Sequence, residues 1–224
     1  MMKAYLISGI GADYRLFTHI SLPESYETHY VHWITPQTDE SLPSYARRLT
    51  AQIDTREPYT LIGFSLGGIM SVEIAKLFPP ARTIIISSIP VSANLPPYYR
   101  RAHHLQLQKL ASPTLMKALA SFKQMLTMRS RENYKIMRDV IRAGDDHFIA
   151  WAIDAVIGWQ NDIITQPFSH IHGTWDDVLP IKFTKPTHIV ARGGHNMIMS
   201  HAPIVNRLLS EILLAPVPSP SLPF

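Results

Sequence analysis

The chain has 224 residues, 46 % hydrophobic and 17 % charged, with no cysteine and a formal net charge of +4. That length suits one sizeable core plus an insertion rather than two full domains, and the composition is globular rather than disordered. Without cysteine, disulfides, thiolate metal sites and a cysteine nucleophile are excluded, and no apolar run approaches the ~18 residues of a membrane span.

The first element, "KAYLISG" (3–9), reads as a buried strand: a short apolar run ended by glycine. The apolar run at this end is too short for a signal peptide, so a cytoplasmic protein is the expectation. "ADYRLFTHI" (12–20) can form a short helix, and "THYVHWI" (28–34) a second strand. "SLPSYARRLTAQI" (41–53) spaces Leu42, Tyr45, Leu49 and Ile53 as a helix does, with Ser41 as N-cap and Pro43 in the first turn. "YTLIGF" (59–64) predicts a third strand. "LGGIMSVEIAKLF" (66–78) predicts a helix that is apolar on most faces, hence buried, and stopped by Pro79-Pro80. "RTIIISSI" (82–89) has the continuous apolar character of a central parallel strand.

From 90 to 160 the strand signals vanish. "SPTLMKALASFKQML" puts Leu115, Met116, Leu119, Phe122, Met125 and Leu126 on one stripe after Ser112 and Pro113. "SRENYKIMRDVIRAG" continues with Tyr134, Met137, Val140 and Ile141 and stops at Gly144. "DDHFIAWAIDAVIGW" aligns Phe148, Trp151, Ala155 and Trp159. These are amphipathic helices. The β/α alternation then resumes with strands at "FSHIHG" (168–173) and "PTHIVAR" (186–192) and a helix at "APIVNRLLSEILL" (202–214), capped near Ser200. The proline-rich tail from 216 to 224 is expected to be peripheral. Strand–helix alternation predicts a parallel, doubly wound sheet, and a block inserted after the fourth strand would sit over the carboxyl ends of the strands, where such sheets bind ligands.

The charge is uneven. Residues 91–144 carry ten Lys/Arg (Arg100, Arg101, Lys109, Lys117, Lys123, Arg129, Arg131, Lys135, Arg138, Arg142) against Glu132 and Asp139, which makes this segment +8 and the rest −4. Two readings stay open: a field that draws in an anionic substrate, or the solvated faces of amphipathic helices. Met116, Met125, Met128 and Met137 either line a flexible pocket or pack the inserted helices together. The sequence pI of 9.3 raises nucleic acid as a partner, but no recognition motif accompanies the charge.

One stretch carries chemistry. In "LIGFSLGGIM" (61–70) a lone Ser65 stands between Gly63 and the pair Gly67-Gly68, after a strand and before an apolar helix. Such a strand-to-helix turn is sharp and strained, its neighbours must be small, and it exposes one hydroxyl at a helix N-terminus where negative charge is favoured. The alternative is a helix cap in a glycine-rich turn. Serine needs a base, and the base an orienting acid. His195 follows the last strand in "ARGGHNM", and Asp176 and Asp177 follow the strand before it in "HGTWDDVLP". His170 and His172 share one face of a strand; without acidic partners at ligand spacing, a structural hydrogen bond is the favoured role over a metal pair. His103 and His104 read as surface residues, and His201 as a helix-start residue.

In its order Ser, Asp, His, in "GFSLGG", the G-T-W-D loop, "GGH" and "SGIG" after the first strand, the chain resembles the α/β-hydrolase superfamily over residues 3–214. The resemblance implies a three-layer α/β fold with a mostly parallel, doubly wound sheet of about six strands. It implies a core of 1–90 and 161–215 and a helical cap over 91–160. Carried over, Ser65 is the nucleophile, His195 the base and Asp176 the acid, selected over Asp177 by the G-x-x-D spacing from Gly173. The backbone N–H groups of Ile10 and Leu66 form the oxyanion hole. Two departures stand out. Ser8-Gly9 replaces the family's usual His-Gly, and the helix between acid and base is reduced to a turn around "LPIKFT". The expected function is hydrolysis of a small carboxylic ester or thioester through an acyl-enzyme, with no cofactor, no metal and a small-molecule substrate. Cleavage of C–C bonds or acyl transfer by the same triad, and a weakly hydrolytic small-molecule receptor, are the rivals.

Overall fold

The computed structural model describes residues 1–104 and 130–216, the side chains of 102–104 excepted. Six parallel strands form one sheet in the order β2-β1-β3-β4-β5-β6. They are β1 (Met2–Ile7), β2 (Tyr26–Val31), β3 (Tyr59–Phe64), β4 (Arg82–Ile86), β5 (Phe168–Gly173) and β6 (His188–Val190). The register is continuous: Ile7 pairs with Val31 and Gly63, Phe64 with Ile86, and Gly173 with Val190. The carboxyl ends of the strands therefore line up along one edge, with β1 and β3 side by side.

Alternation along each strand sorts the core into two layers. Tyr5, Ile7, Tyr59, Leu61 and Ile85 face one side and pack against helices α1 (Leu42–Leu49) and α2 (Leu66–Leu77). Ala4, Leu6, Ile62, Phe64, Ile84 and Ile86 face the other. There they meet the 3-10 turn Tyr14–Phe17 and the C-terminal helix Ala202–Leu214. Helices on both faces are what connections between parallel strands require.

Between β4 and β5 lie helices α3 (Pro97–His104), α4 (Arg131–Ala143) and α5 (Asp146–Gly158). Ser130 and Asp145 cap α4 and α5, accepting from the N–H groups of Asn133 and Phe148. The chain returns to the core through Trp159. Its indole N–H donates to Glu73 of α2 at 2.7 Å, and Lys76 completes the buried carboxylate's pairing. The stripe expected over 112–126 and the tail from 217 onward lie outside the described residues, as do Met116, Met125 and Met128. Met137 packs into the core.

Several elements differ from expectation for identifiable reasons. The segment over 12–20 is only a 3-10 turn, held by Asp13, whose carboxylate accepts from both the backbone and the guanidinium of Arg15. The helix over 41–53 stops at Leu49 and tightens into a 3-10 turn, Thr50–Gln52. Strand β2 ends at Val31, so Trp33 leaves the sheet. Strand β4 ends at Ile86 because Ser87 turns into the left-handed region at φ 47°, and Arg192 does the same after β6 at φ 59°. Ahead of the C-terminal helix, a single helical turn, α6 (Met197–Ser200), ends at His201, and α7 (Ala202–Leu214) starts there. No helix among the described residues is long and apolar enough to cross a membrane.

Candidate active site

Ser65 is the hinge between β3 and α2. Its backbone sits at φ 53° and ψ −118°, a conformation that serine rarely adopts. Hydrogen bonds at its N–H and its carbonyl hold it there. Its N–H donates to the Ile86 carbonyl at 2.9 Å, and its own carbonyl accepts from the Ser88 hydroxyl at 2.7 Å and the Gly68 N–H at 2.9 Å. The flanking glycines are demanded by close backbone approach. A Cβ on Gly63 would lie 2.2 Å from the Gly67 carbonyl oxygen, and one on Gly67 would lie 2.0 Å from that of Ile7. The turn is thus wedged between β1 and the start of α2, with its hydroxyl left outward.

His195 and Asp176 arrive on the loops after β6 and β5. His195 Nε2 lies 3.0 Å from Ser65 Oγ. On its other side, Nδ1 lies 2.9 and 3.1 Å from the two oxygens of Asp176. Because a carboxylate only accepts, Nδ1 carries the proton, which leaves Nε2 free to accept one from the serine. Asp176 is fully buried as a side chain, while His195 keeps 12 % exposure. The neighbouring Asp177 is exposed. The G-x-x-D spacing thus points to the aspartate that meets the histidine.

The environment of Asp176 favours its charge. Burial opposes ionisation, but the hydrogen bond and charge of His195, the Leu179 N–H at 2.8 Å and the field of His172 outweigh it. Together they hold the carboxyl below the usual carboxylate range. The Val178 N–H adds a further donor at 3.0 Å.

His170 and His172, both fully buried, stand directly behind this acid. His172 Nε2 reaches the Leu179 carbonyl at 2.7 Å, so that nitrogen carries the proton. Its Nδ1 then accepts from His170 Nε2 at 2.9 Å. The pair braces the loop whose Leu179 N–H holds Asp176. Burial pulls both rings toward neutrality, His170 down to about 3. Among the described residues no group of three or more His, Cys, Asp or Glu could hold a metal ion. His201 starts α7, and its Nδ1 lies 2.9 Å from the Ser200 hydroxyl.

The loop after β1 forms the other wall. Gly9 abuts Ser65, since a Cβ there would come within 3.4 Å of the Ser65 Cβ. The Ile10 side chain points to solvent at 38 % exposure, while Leu66 is the first residue of α2. Ser8, in place of histidine, ties the loop from within: its hydroxyl donates to the Ala12 carbonyl at 2.6 Å. Chemically, the site offers a hydroxyl, an imidazole nitrogen able to accept its proton, a carboxylate on the other side of that ring, and a helix N-terminus beside the hydroxyl. The structural hydrogen bond expected for His170 and His172 is present and braces the loop that carries Asp176. The Ser88 hydroxyl on the Ser65 carbonyl has no signal in the sequence.

No family model matches the chain, and no curated protein matches it. Solved structures do. A carboxylesterase from the thaumarchaeon Nitrososphaera gargenis superposes with a TM-score of 0.75 at 17 % identity, over 95 % of this chain and 89 % of that one. The esterase EaEST from Exiguobacterium antarcticum gives 0.73 at 15 % identity over 96 % and 92 %, and MenH from S. aureus 0.71 at 16 % over 93 % and 91 %. The architecture is that of the α/β-hydrolase fold.

Proposed function

We propose that this α/β-hydrolase-fold chain is a serine hydrolase that cleaves a small carboxylic ester or thioester through an acyl-enzyme on Ser65. The observation that carries the reading is the hydrogen-bonded line from Ser65 Oγ through His195 to buried Asp176, with steps of 3.0 and 2.9 Å, on a strained strand-to-helix turn. The esterases among the structural neighbours fit it.

In this reading Ser65 Oγ attacks the substrate carbonyl carbon while its proton moves to His195 Nε2. The carbonyl oxygen becomes an oxyanion, which the backbone N–H groups of Leu66 and Ile10 stabilise together with the N-terminus of α2. Asp176 holds the imidazole in the required tautomer and stabilises the imidazolium. The C–O or C–S bond then breaks, His195 returns the proton to the leaving group, and the acyl chain stays on Ser65. Water, deprotonated by His195, attacks the acyl-enzyme by the same route and releases the carboxylic acid. The helices described between β4 and β5, namely α3, α4 and α5, serve in this reading as part of a cap above the strand ends.

The test is a chain-length series of p-nitrophenyl esters and matching acyl thioesters with the wild-type protein. Turnover of short esters or thioesters, with a burst equal to the enzyme concentration, is expected. Absence of any turnover across both series contradicts the reading.

A further inference from the structure

The Gly9–Ile10 peptide is gripped from outside its own loop. The Gly9 carbonyl accepts from the Ala12 N–H at 3.1 Å, a bond within the loop, and from the indole N–H of Trp33 at 3.1 Å. Trp33 belongs to the segment after β2, which the chain must leave the sheet to form.

The indole is itself fixed. Its ring packs against Phe148 of α5, with centroids 4.9 Å apart, and against Tyr45 at 6.3 Å. The Tyr45 hydroxyl both donates to the carbonyl and accepts from the N–H of Ile34, the next residue along. From above, Gly11 at φ 62° meets the Ile149 side chain and the Gly144 backbone, where a Cβ would come within 2.8 Å of Ile149.

Geometry gives this grip a consequence. The Gly9–Ile10 peptide is trans, so the Ile10 N–H points opposite to the Gly9 carbonyl. Whatever fixes the carbonyl fixes the direction of that N–H. We propose that Trp33 is a positioning residue for the oxyanion hole: its indole N–H anchors the Gly9 carbonyl and thereby aims the Ile10 N–H at the oxyanion. This rests on the serine-hydrolase reading above. Trp33 touches no reacting atom and acts only through the peptide. Because the same ring packs on Phe148, the aim of that N–H is tied to the seating of α5.

The test separates the N–H from the ring. Trp33→Phe keeps an aromatic ring and loses the donor. Site-specific β-(3-benzothienyl)alanine at position 33 keeps the bicycle and replaces only the N–H by sulfur. A trifluoromethyl ketone, which forms an oxyanion on the attacking serine, reports on the hole directly. Both variants are expected to lose about tenfold in kcat with KM within about twofold. That is a fraction of the ~10²–10³ lost when an oxyanion donor is removed outright. The ketone's Ki should rise by the factor that kcat/KM falls, and the benzothienyl variant should unfold at the wild-type temperature. Wild-type kcat and Ki in the benzothienyl variant overturn the proposal while leaving the serine-hydrolase reading intact. A wild-type protein inert to both ester and ketone overturns that reading, and this proposal with it.

Discussion

Asp176 grips His195 through both carboxylate oxygens, 2.9 and 3.1 Å from Nδ1, across 19 residues of chain. One oxygen also accepts the Val178 and Leu179 N–H groups, so the acid is held independently of the histidine it orients.

The first prediction follows from that grip. Asp176→Asn presents an amide donor to Nδ1 and favours the wrong tautomer, so kcat should fall about 10³–10⁴-fold while KM changes little. Asp177→Asn, at an exposed position, should stay within a few-fold of wild type. Steady-state kinetics on one ester decides it. The reverse ranking would move the acid by one residue.

A second prediction concerns the buried histidines. His170 is neutral in the fold, its ordinary value of 6.5 pulled down to about 3 chiefly by burial, with His172 adding to it. A depressed value means that the unfolded chain binds a proton that the fold does not. Stability is therefore complete above about pH 6.5 and is lost as pH falls toward about 3. Asp176, held below the usual carboxylate range, adds its own loss lower in that window. Urea unfolding from pH 8 to 4 should show this slope, and His170→Gln should flatten it by up to one proton. An unchanged slope in the variant would mean that His170 does not carry the effect.

The third prediction tests the turn. Gly67→Ala places a Cβ 2.0 Å from the Ile7 carbonyl oxygen, an overlap between two backbone segments that no rotamer relieves. It should cost several kcal/mol, about 3 or more. Denaturant titration checks this, and a variant with the wild-type midpoint would mean that β1 and α2 are less tightly apposed.

A fourth prediction addresses the positive segment. Arg131, Lys135 and Arg142 lie on the exposed side of α4, while Met137 and Val140 face the core. Arg100 donates to the Ser92 carbonyl, and Arg138 pairs with Asp139. Among the described residues, this is the arrangement of a solvated face. A neutral ester and an anionic ester of matched size should then respond alike to salt in kcat/KM. A preference for the anion at low salt that fades as salt rises would instead show a field focused on the site.

Much of this was legible from residue types. Parallel strands are buried on both faces, so "YTLIGF" and "RTIIIS" read as apolar runs, and glycines around Ser65 announced a turn with no room for side chains. The spacing from Gly173 pointed to Asp176. What stayed hidden depends on contacts between distant segments. Nothing local says that β2 stops at Val31, because Trp33 leaves the sheet to reach a carbonyl 24 residues away. Nothing in "IIISSI" says that Ser87 turns left-handed. His170 and His172 showed a shared strand face, but not that Leu179 would return to meet them.

If Ser65 is a nucleophile activated by His195, it must react with an electrophilic probe and depend on the histidine to do so. The direct measurement is intact-protein and peptide mass spectrometry after exposure to a fluorophosphonate, for wild type, Ser65→Ala and His195→Ala. One phosphonyl adduct on Ser65 is predicted for wild type. No adduct is predicted in Ser65→Ala, and in His195→Ala labelling slowed by about 10³-fold or more. Labelling that survives in Ser65→Ala, or a wild-type protein that takes up no label, contradicts the account.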